Sequence, residues 1–306
     1  FWILMGLHVL LSVYLTIQMA KNQNRRKSHG HSSARPSNPR PKHRRPKEKP
    51  PFDRSSDRGT SKGIGGDVIE GRQAVRELLL AQKRKIKEVI FLAGLEPSPV
   101  LAQIRDLAME GRIPLHEVAR PKFDQLATTD APQGVISYAE PLPNLGIDDL
   151  LSTRKKPFLL VLDGIVDPRN LGAMLRSAEC AGVTGVLLPK HRSTKITPTV
   201  AKTAQGAIEH LPIGSVSGIP KGLSLLKEKG VWTVGLDSDA PTEIFELGVA
   251  DEPLALVLGS EGQGLGRLSR ERCDLLAQIP VFGSIESLNV SVAAAIACFE
   301  IAQRRR

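Results

Sequence analysis

The stretch that decides the fold is Ile279–Arg306, which reads IPVFGSIESLNVSVAAAIACFEIAQRRR. A short apolar run and a Pro lead into a polar loop, and an Ala-rich helix then runs to three arginines. Ser287 and Asn289 stand where this helix begins, and such side chains commonly cap the free backbone N–H groups of a first turn. A polar Ser-x-Asn at the mouth of an apolar helix also suits a ligand loop, so both interpretations stay open at this point.

Continuous apolar runs alternate with helical patterns upstream of this stretch. The runs are typical of strands covered on both faces: Phe158–Leu162, Gly185–Leu188, Trp232–Leu236, Leu254–Leu258 and Leu276–Ile279. Helices are predicted between them, at Asn170–Ala181, Thr199–Ala207, Gly222–Glu228 and Arg267–Arg272. This order predicts an α/β fold with a parallel sheet. Ligands of such sheets bind beyond the carboxyl ends of the strands, which here means the loops after Leu162, Leu236, Leu258 and Ile279.

A smaller α/β unit is predicted over residues 67–140. Gln73–Gln82 and Val100–Glu110 have the apolar spacing of helices, and Val89–Leu92 has the composition of a strand. Residues 141–156, with Pro, Asn and Gly, are predicted to form a linker. Residues 157–306 then form the larger domain.

The N-terminal region divides into two parts. Phe1–Ala20 has no charge and is long enough to cross a bilayer. We interpret residues 1–18 as upstream sequence translated in error before a start at Met19, with a membrane anchor as the alternative. Residues 21–66 are rich in Pro, Arg, Lys and Ser and are predicted to be disordered, because they contain too few apolar residues for a core.

Positive charge is concentrated in this tail. Residues 21–58 hold thirteen Lys or Arg and three acidic residues, whereas residues 59–306 hold 29 of each. The tail therefore predicts a salt-sensitive attraction to nucleic acid that does not depend on base sequence.

The three cysteines are Cys180, Cys273 and Cys298, and their spacing is not typical of metal ligands. This favours a reducing compartment such as the cytoplasm and predicts neither a disulfide nor a metal site.

Two further polar segments follow predicted strands. Residues 163–176, DGIVDPRNLGAMLR, place Asn170 and Arg176 less than two turns apart, with Gly172 between them to permit close approach of a partner. Taken alone, Asn170 is explained as a helix cap and Arg176 as a solvated side chain. Residues 259–266, GSEGQGLG, hold four glycines, which suggests backbone wrapped around a ligand. Their spacing fits neither the dinucleotide fingerprint nor the P-loop.

The three motifs together carry a resemblance. N-x-G-x-x-x-R, G-S-E-G-x-G-L and I-P-x-x-G-x-x-x-S-L-N-V-S, in this order over Phe158–Arg306, resemble the SpoU (TrmH-like) family of RNA ribose 2′-O-methyltransferases. Val68–Tyr138 resembles the small L30e-like RNA-binding domain of that family. Residues 205–212, QGAIEHLP, are similar to the bacterial 23S rRNA guanosine-2′-O-methyltransferase subgroup. The resemblance implies a SPOUT-type parallel sheet with a trefoil knot, and a homodimer.

The resemblance also implies roles for five catalytic residues. Arg176 would act on the ribose 2′-hydroxyl, and Asn170 would help to hold it and the target. Glu261 would orient the Arg176 region and the loop, and Ser287 and Asn289 would line the reacting pocket. Guanidinium resists deprotonation, so Arg176 either receives help from its pocket or an RNA phosphate, or mainly stabilises the developing oxyanion.

The implied cofactor is S-adenosylmethionine, contacted largely through backbone groups at Gly259, Ile279 and Leu288. Its methyl group is already activated on a sulfonium, so no metal is expected. The expected partner is RNA, with 23S rRNA first, and membrane contact is not expected. Two alternatives stay open: the same chemistry on tRNA, because the motifs are shared across substrates, and a non-catalytic RNA-binding ribosome-assembly factor that kept the fold.

Overall fold

The computed structural model describes residues 63–152, 154–191, 195–285 and 287–306. The predictions for Phe1–Ala20 and for residues 21–62 of the tail lie outside these residues. In the described part, no helix is long and apolar enough to cross a bilayer. Residues 63–66 were predicted to belong to the disordered tail, but they are ordered. Gly63 pairs with Pro143 and Gly65 with Ile196 in isolated bridges, and Ile64 packs against the large core.

The N-terminal sheet has four strands in the order β1-β4-β2-β3. Its strands are β1 (Val68–Glu70), β2 (Ile86–Leu92), β3 (Leu115–Val118) and β4 (Val135–Ala139). The helices beside it are α1 (Arg72–Ala81), α2 (Pro99–Glu110) and α3 (Arg120–Leu126). Strands β2 and β3 are parallel, whereas β4 runs antiparallel to β1 and β2. Pro99 opens α2, and Ser98 caps it by accepting a hydrogen bond from the Leu101 N–H.

The second sheet has seven strands in the order β7-β6-β5-β10-β8-β11-β9, and all its strand pairs are parallel. The α/β prediction with a parallel sheet is therefore confirmed. The strands are β5 (Phe158–Leu162), β6 (Gly185–Pro189), β7 (Ile213–Val216), β8 (Trp232–Leu236), β9 (Thr242–Glu243), β10 (Leu254–Leu258) and β11 (Leu275–Gln278). The helices are α4 (Ile147–Leu151), α5 (Pro168–Cys180), α6 (Pro198–Thr203), α7 (Ile219–Glu228), α8 (Arg267–Arg272) and α9 (Val290–Arg304).

Helices cover both faces of this sheet, which explains the continuous apolar runs of its strands. Every residue of β5 and β10 is buried. Leu160 and Leu256 belong to the core that includes α5 and α9, whereas Leu159 and Val257 belong to the core that includes α7. This arrangement places the ends of β5, β10, β8 and β11 side by side, and the motif loops follow these ends.

Several boundaries differ from the predictions for physical reasons. Helix α4 lies inside the predicted linker, and it is fixed by the buried side chains of Ile147 and Leu150. The helix predicted over Thr199–Ala207 ends at Thr203, because Gln205 and Gly206 adopt φ of 49° and 95°. A 3₁₀ turn at Ala207–Glu209 follows, and strand β7, which was not predicted, comes next.

A buried ion pair joins the small unit to the large one. The Arg84 guanidinium donates to both carboxylate oxygens of Glu209, at 2.9 and 2.5 Å, and also to the carbonyl oxygens of Gly66 and Glu140. The two side chains are 5% and 1% exposed. Removing one partner of such a pair leaves an uncompensated buried charge, so breaking this contact between the two units should be costly.

Candidate active site

The side chain of Asn170 joins the three motif loops. Its Nδ2 donates a hydrogen bond to Glu261 Oε2 at 2.9 Å, and its Oδ1 accepts one from Asn289 Nδ2 at 3.2 Å. Asn170 comes from the segment after β5, Glu261 from the loop after β10, and Asn289 from the loop after β11. The structure therefore brings together three of the five predicted catalytic residues.

The direction of these hydrogen bonds is fixed from both ends. Asn289 Oδ1 accepts from the backbone N–H of Ser291 at 2.8 Å and from its hydroxyl at 2.6 Å. The amide of Asn289 therefore presents its NH₂ group to Asn170, and Asn170 must in turn present its own NH₂ group to Glu261. A carboxylate accepts hydrogen bonds, so Glu261 is a suitable acceptor for the NH₂ group of Asn170 at the end of this series of hydrogen bonds.

Asn289 also caps α9, as one of the two interpretations of the sequence expected. The cap and the contact with Asn170 use different atoms of the same amide, so capping leaves the NH₂ group of Asn289 free to bind Asn170. The interpretation as a ligand loop stays a prediction. The explanation of Asn170 as a cap is wrong, however. The N-cap of α5 is Asp167, whose carboxylate accepts from the Arg169 N–H at 2.8 Å. The side chain of Asn170 is thereby left to bind Glu261 and Asn289.

Gly172 has a different role from the one expected of it. A Cβ at this position would lie 2.6 Å from Thr203 Cβ and 2.9 Å from the Val200 carbonyl oxygen. The glycine therefore permits close packing of α5 against α6. It does not open the helix start to a ligand.

Arg176 and Ser287 are exposed. Arg176 lies six positions after Asn170 in the same helix, which sets the two side chains about 120° apart around the axis of α5. As far as the described residues extend, neither Arg176 nor Ser287 belongs to the network centred on Asn170. Their predicted roles in the reaction stay predictions.

The Gly-rich loop after β10 folds back on its own strand. Ser260 and Gly264 exchange two backbone hydrogen bonds of 2.9 Å. A Cβ on Gly259 would lie 2.0 Å from the carbonyl carbon of Gly264. Only glycine fits at this position, and the chain turns immediately beyond it to present Glu261.

Two carboxylates that the sequence analysis did not single out flank strands of this sheet, Asp163 at the end where the motif loops lie and Asp274 at the opposite end. Asp163, directly after β5, accepts a hydrogen bond of 2.5 Å from the Ser269 hydroxyl on α8. Asp274, directly before β11, accepts from the N–H and the hydroxyl of Thr233 at 2.9 and 2.6 Å, and pairs with Lys227 at 2.9 Å. The signal available in the sequence was an acidic residue directly beside a strand, Asp163 after β5 and Asp274 before β11.

These contacts lower the pKa of Asp274. Partial burial acts to raise it, but the hydrogen bonds from Thr233 and Lys227 outweigh burial and hold the pKa below its ordinary value of 3.8.

Burial raises the pKa of the Cys298 thiol on α9 to about 12. Cys298 is therefore an inert part of the core at neutral pH.

Comparison with known proteins agrees with this geometry. Residues 157–299 match the model of the SpoU rRNA Methylase family, and residues 68–145 match the model for RNA 2′-O ribose methyltransferase substrate binding. The 23S rRNA (guanosine-2′-O-)-methyltransferase RlmB of Shewanella oneidensis is 41% identical over 243 residues, which cover 78% of this chain and 98% of that protein. The chain belongs to the SpoU family.

Solved SpoU structures have the same fold. One described as an RNA 2′-O ribose methyltransferase is 27% identical, with a TM-score of 0.66 over 78% of this chain and 88% of that one. AviRb from Streptomyces viridochromogenes, solved in complex with AdoMet, is 21% identical, with a TM-score of 0.66 over 78% of this chain and 90% of that one. At that identity AviRb supports the fold alone. The predicted resemblance to the SpoU family is confirmed.

Proposed function

We infer that this chain transfers a methyl group from S-adenosylmethionine to a ribose 2′-hydroxyl of ribosomal RNA. The observation that carries this conclusion is the convergence of the three SpoU motif loops on the side chain of Asn170. Family membership supplies the chemistry, and the hydrogen-bonded network supplies a site preorganised for it. The intact network favours an enzyme over the non-catalytic assembly factor.

We propose that the target is a guanosine of 23S rRNA. The support is the 41% identity to the RlmB protein of S. oneidensis over nearly its whole length. A match over that length includes the small N-terminal unit, which is a candidate for recognising the RNA. The tRNA alternative shares the catalytic motifs, and substrate experiments must separate the two.

The cofactor position follows from the ends of three neighbouring strands. Gly259 ends β10 with bare backbone, and Leu236 and Ile279 bring half-buried aliphatic side chains to the ends of β8 and β11. Bare backbone beside an aliphatic wall fits an adenosyl group, so we propose that Gly259, Ile279 and Leu288 hold S-adenosylmethionine. When bound, this cofactor supplies a methyl group activated on its sulfonium.

We propose that the network around Asn170 positions the target ribose. Positioning is worth several kcal/mol in a displacement of this kind, because the two reacting atoms must be held in line. A guanidinium group is a poor base, so the proposed role of Arg176 is to stabilise negative charge on the 2′-oxygen as the proton leaves. Ser287 and Asn289 would line the same pocket.

A homodimer is proposed through the exposed side of α9. Val292 and Phe299 are about half exposed and lie seven residues apart on one face of this helix, while Ala294, Ala297, Cys298 and Ile301 are buried in the core on another. A helix that is apolar all round normally has both sides covered. A second copy of the chain would cover the exposed side. Phe299→Asp should then convert a dimer to a monomer in sedimentation velocity.

The trefoil knot and the L30e-like character of the small unit stay predictions. A cytoplasmic location is likewise proposed, because the ribosomal RNA substrate is made and assembled there.

The function is tested by offering labelled S-adenosylmethionine with unmodified 23S rRNA and, separately, unmodified tRNA. Label in 23S rRNA alone supports the proposal. Label in tRNA alone would keep the chemistry and overturn the substrate.

A further inference from the structure

A basic cavity of about 590 Å³ lies at the amino ends of the central strands. Two runs of three cations line it, Arg154–Lys156 before β5 and Arg304–Arg306 at the end of α9. Phe158, the first residue of β5, lies at its wall, and Asp251 is an acidic side chain beside it. The three motif loops follow the opposite ends of the strands.

Arg305 holds the two basic runs together. Its guanidinium donates to four backbone carbonyl oxygens: Lys156 at 2.6 Å, Glu252 at 2.7 Å, Ala250 at 2.8 Å and Pro157 at 3.4 Å. These bonds fasten the end of α9 to the segment before β5. They also use the hydrogen-bond donors of Arg305, so Arg305 holds the wall of the cavity together, and the neighbouring cations are the candidates for binding a ligand.

The positive charge gathered here is only partly compensated. Lys156 pairs with Asp251 at 3.4 Å, and Arg304 pairs with Glu300 at 2.7 Å. Arg154, Lys155 and Arg306 are exposed and form no ion pair with any other described residue. Holding like charges close together is unfavourable, so an anionic ligand that spans the cavity would relieve this repulsion.

We propose that this cavity binds a run of RNA phosphates, as a second contact for the substrate away from the catalytic loops. The proposal rests on the proposed function, because it takes the RNA substrate as the polyanion. Strand β5 separates the cavity from the Asn170 network, and five extended residues span about 17 Å. A large folded RNA reaches both places, whereas a single nucleotide reaches one.

Phosphate groups suit the three cations that form no ion pair, Arg154, Lys155 and Arg306, because these cations line one cavity from two separate segments of the chain. Guanidinium groups bind phosphate oxygens in a bidentate fork, and a lysine adds a point charge. These interactions would be blind to base sequence and would serve to position the RNA. Specificity for the target would remain with the small unit and the catalytic loops.

The experiment compares two doubly substituted full-length chains. Arg154→Gln/Lys155→Gln removes two cavity charges and leaves the Arg305 hydrogen bonds in place. Lys221→Gln/Lys229→Gln removes two exposed charges at α7, of which Lys229 pairs with Asp148, and is the control for the change in net charge. Binding of a fluorescent, unmodified 23S rRNA transcript is measured by anisotropy at several KCl concentrations, and methyl transfer to the same transcript is measured in parallel.

The cavity variant should reduce the salt slope of log affinity by about one for each cation that no longer binds a phosphate, so by about two. Its KM for RNA should rise, with kcat at saturating RNA unchanged, and the control should match the wild type. A cavity variant with the wild-type salt slope would overturn the proposal and favour an acidic protein segment as the ligand. Equal decreases of the salt slope in the cavity variant and the control would overturn it too. Because binding is read without catalysis, a wild-type chain that binds RNA but methylates none would count against the proposed function alone.

Discussion

The side-chain amide of Asn170 donates a hydrogen bond of 2.9 Å to Glu261, a residue 91 positions further along the chain. Asn289 donates to the other end of the same amide, from the start of α9. One short side chain thus fixes the relative positions of three loops. Because these hydrogen bonds are already formed, the three loops need little reorganisation when a substrate binds.

Substitution of Asn170 by Asp should abolish this link without unfolding the protein. The new carboxylate would face Glu261 and repel it, yet a negative charge in the first turn of α5 is favourable for the helix. Loss of a preorganised donor costs about 100-fold or more in rate, so single-turnover methyl transfer should fall by at least that factor. Asn144→Asp, at an exposed residue that bonds Ser215, is the matched control. Equal rates for the two variants would contradict the assigned role of Asn170.

Gly259→Ala should weaken S-adenosylmethionine binding. The added Cβ collides with the Gly264 backbone, and overpacking of this kind costs about 1–3 kcal/mol. Relief of the collision requires the loop to open, so the affinity measured by calorimetric titration should fall about tenfold or more. Gly248→Ala is the control, because a Cβ there meets open space. Wild-type affinity in Gly259→Ala would remove this loop from the cofactor site.

Much of the large sheet could be predicted because burial on both faces leaves a plain signal. Phe158–Leu162 and Leu254–Leu258 are continuous apolar runs, and the structure confirms both strands with these bounds. Strand β7 was missed because Ile213–Val216 is short and contains Gly and Ser. Helix α4 was missed because nearby Pro and Gly residues are typical of a linker, while only two buried side chains mark the helix.

The candidate site could be predicted only as a set of residue types. The motifs named Asn170, Glu261 and Asn289, but their mutual bonds depend on the three-dimensional order of β5, β10 and β11. The pairing of Arg84 with Glu209 joins residues 125 positions apart and has no periodic signature. Long-range polar pairs of this kind become visible only once the chain is folded.

Breaking that buried pair should destabilise the protein strongly. Glu209→Ala leaves the Arg84 guanidinium buried and unpaired, which costs about 3–5 kcal/mol of unfolding free energy. The double variant Arg84→Met/Glu209→Leu removes both charges and should lose less than the single variant. The exposed pair Arg105–Glu117 provides the control, since Glu117→Ala should cost under about 1 kcal/mol. Urea unfolding measures all three. A double variant less stable than Glu209→Ala would contradict this account.

Asp274 should contribute stability that depends on pH. Its pKa is lower in the folded protein than the ordinary value of 3.8, so its contribution is fully present above pH 3.8 and is lost as the pH falls through the folded value. Asp274→Asn should lower the unfolding free energy by about 1 kcal/mol at pH 7, because the group is partly exposed. The difference from wild type in urea unfolding should shrink as the pH falls below 3.8. A difference that stays constant as the pH falls through this range would exclude the assigned charge interactions.

The position of the label in the RNA tests most directly whether the methyl group is transferred to a ribose oxygen. A 2′-O-methyl group blocks alkaline cleavage of the adjoining phosphodiester, because the 2′-oxygen is the attacking group. The wild-type chain, given labelled S-adenosylmethionine and unmodified 23S rRNA, should leave its label in an alkali-resistant dinucleotide that contains guanosine. Arg176→Ala should leave little or none. Label recovered in mononucleotides would place the methyl group on a base and contradict the account, as would full activity in Arg176→Ala.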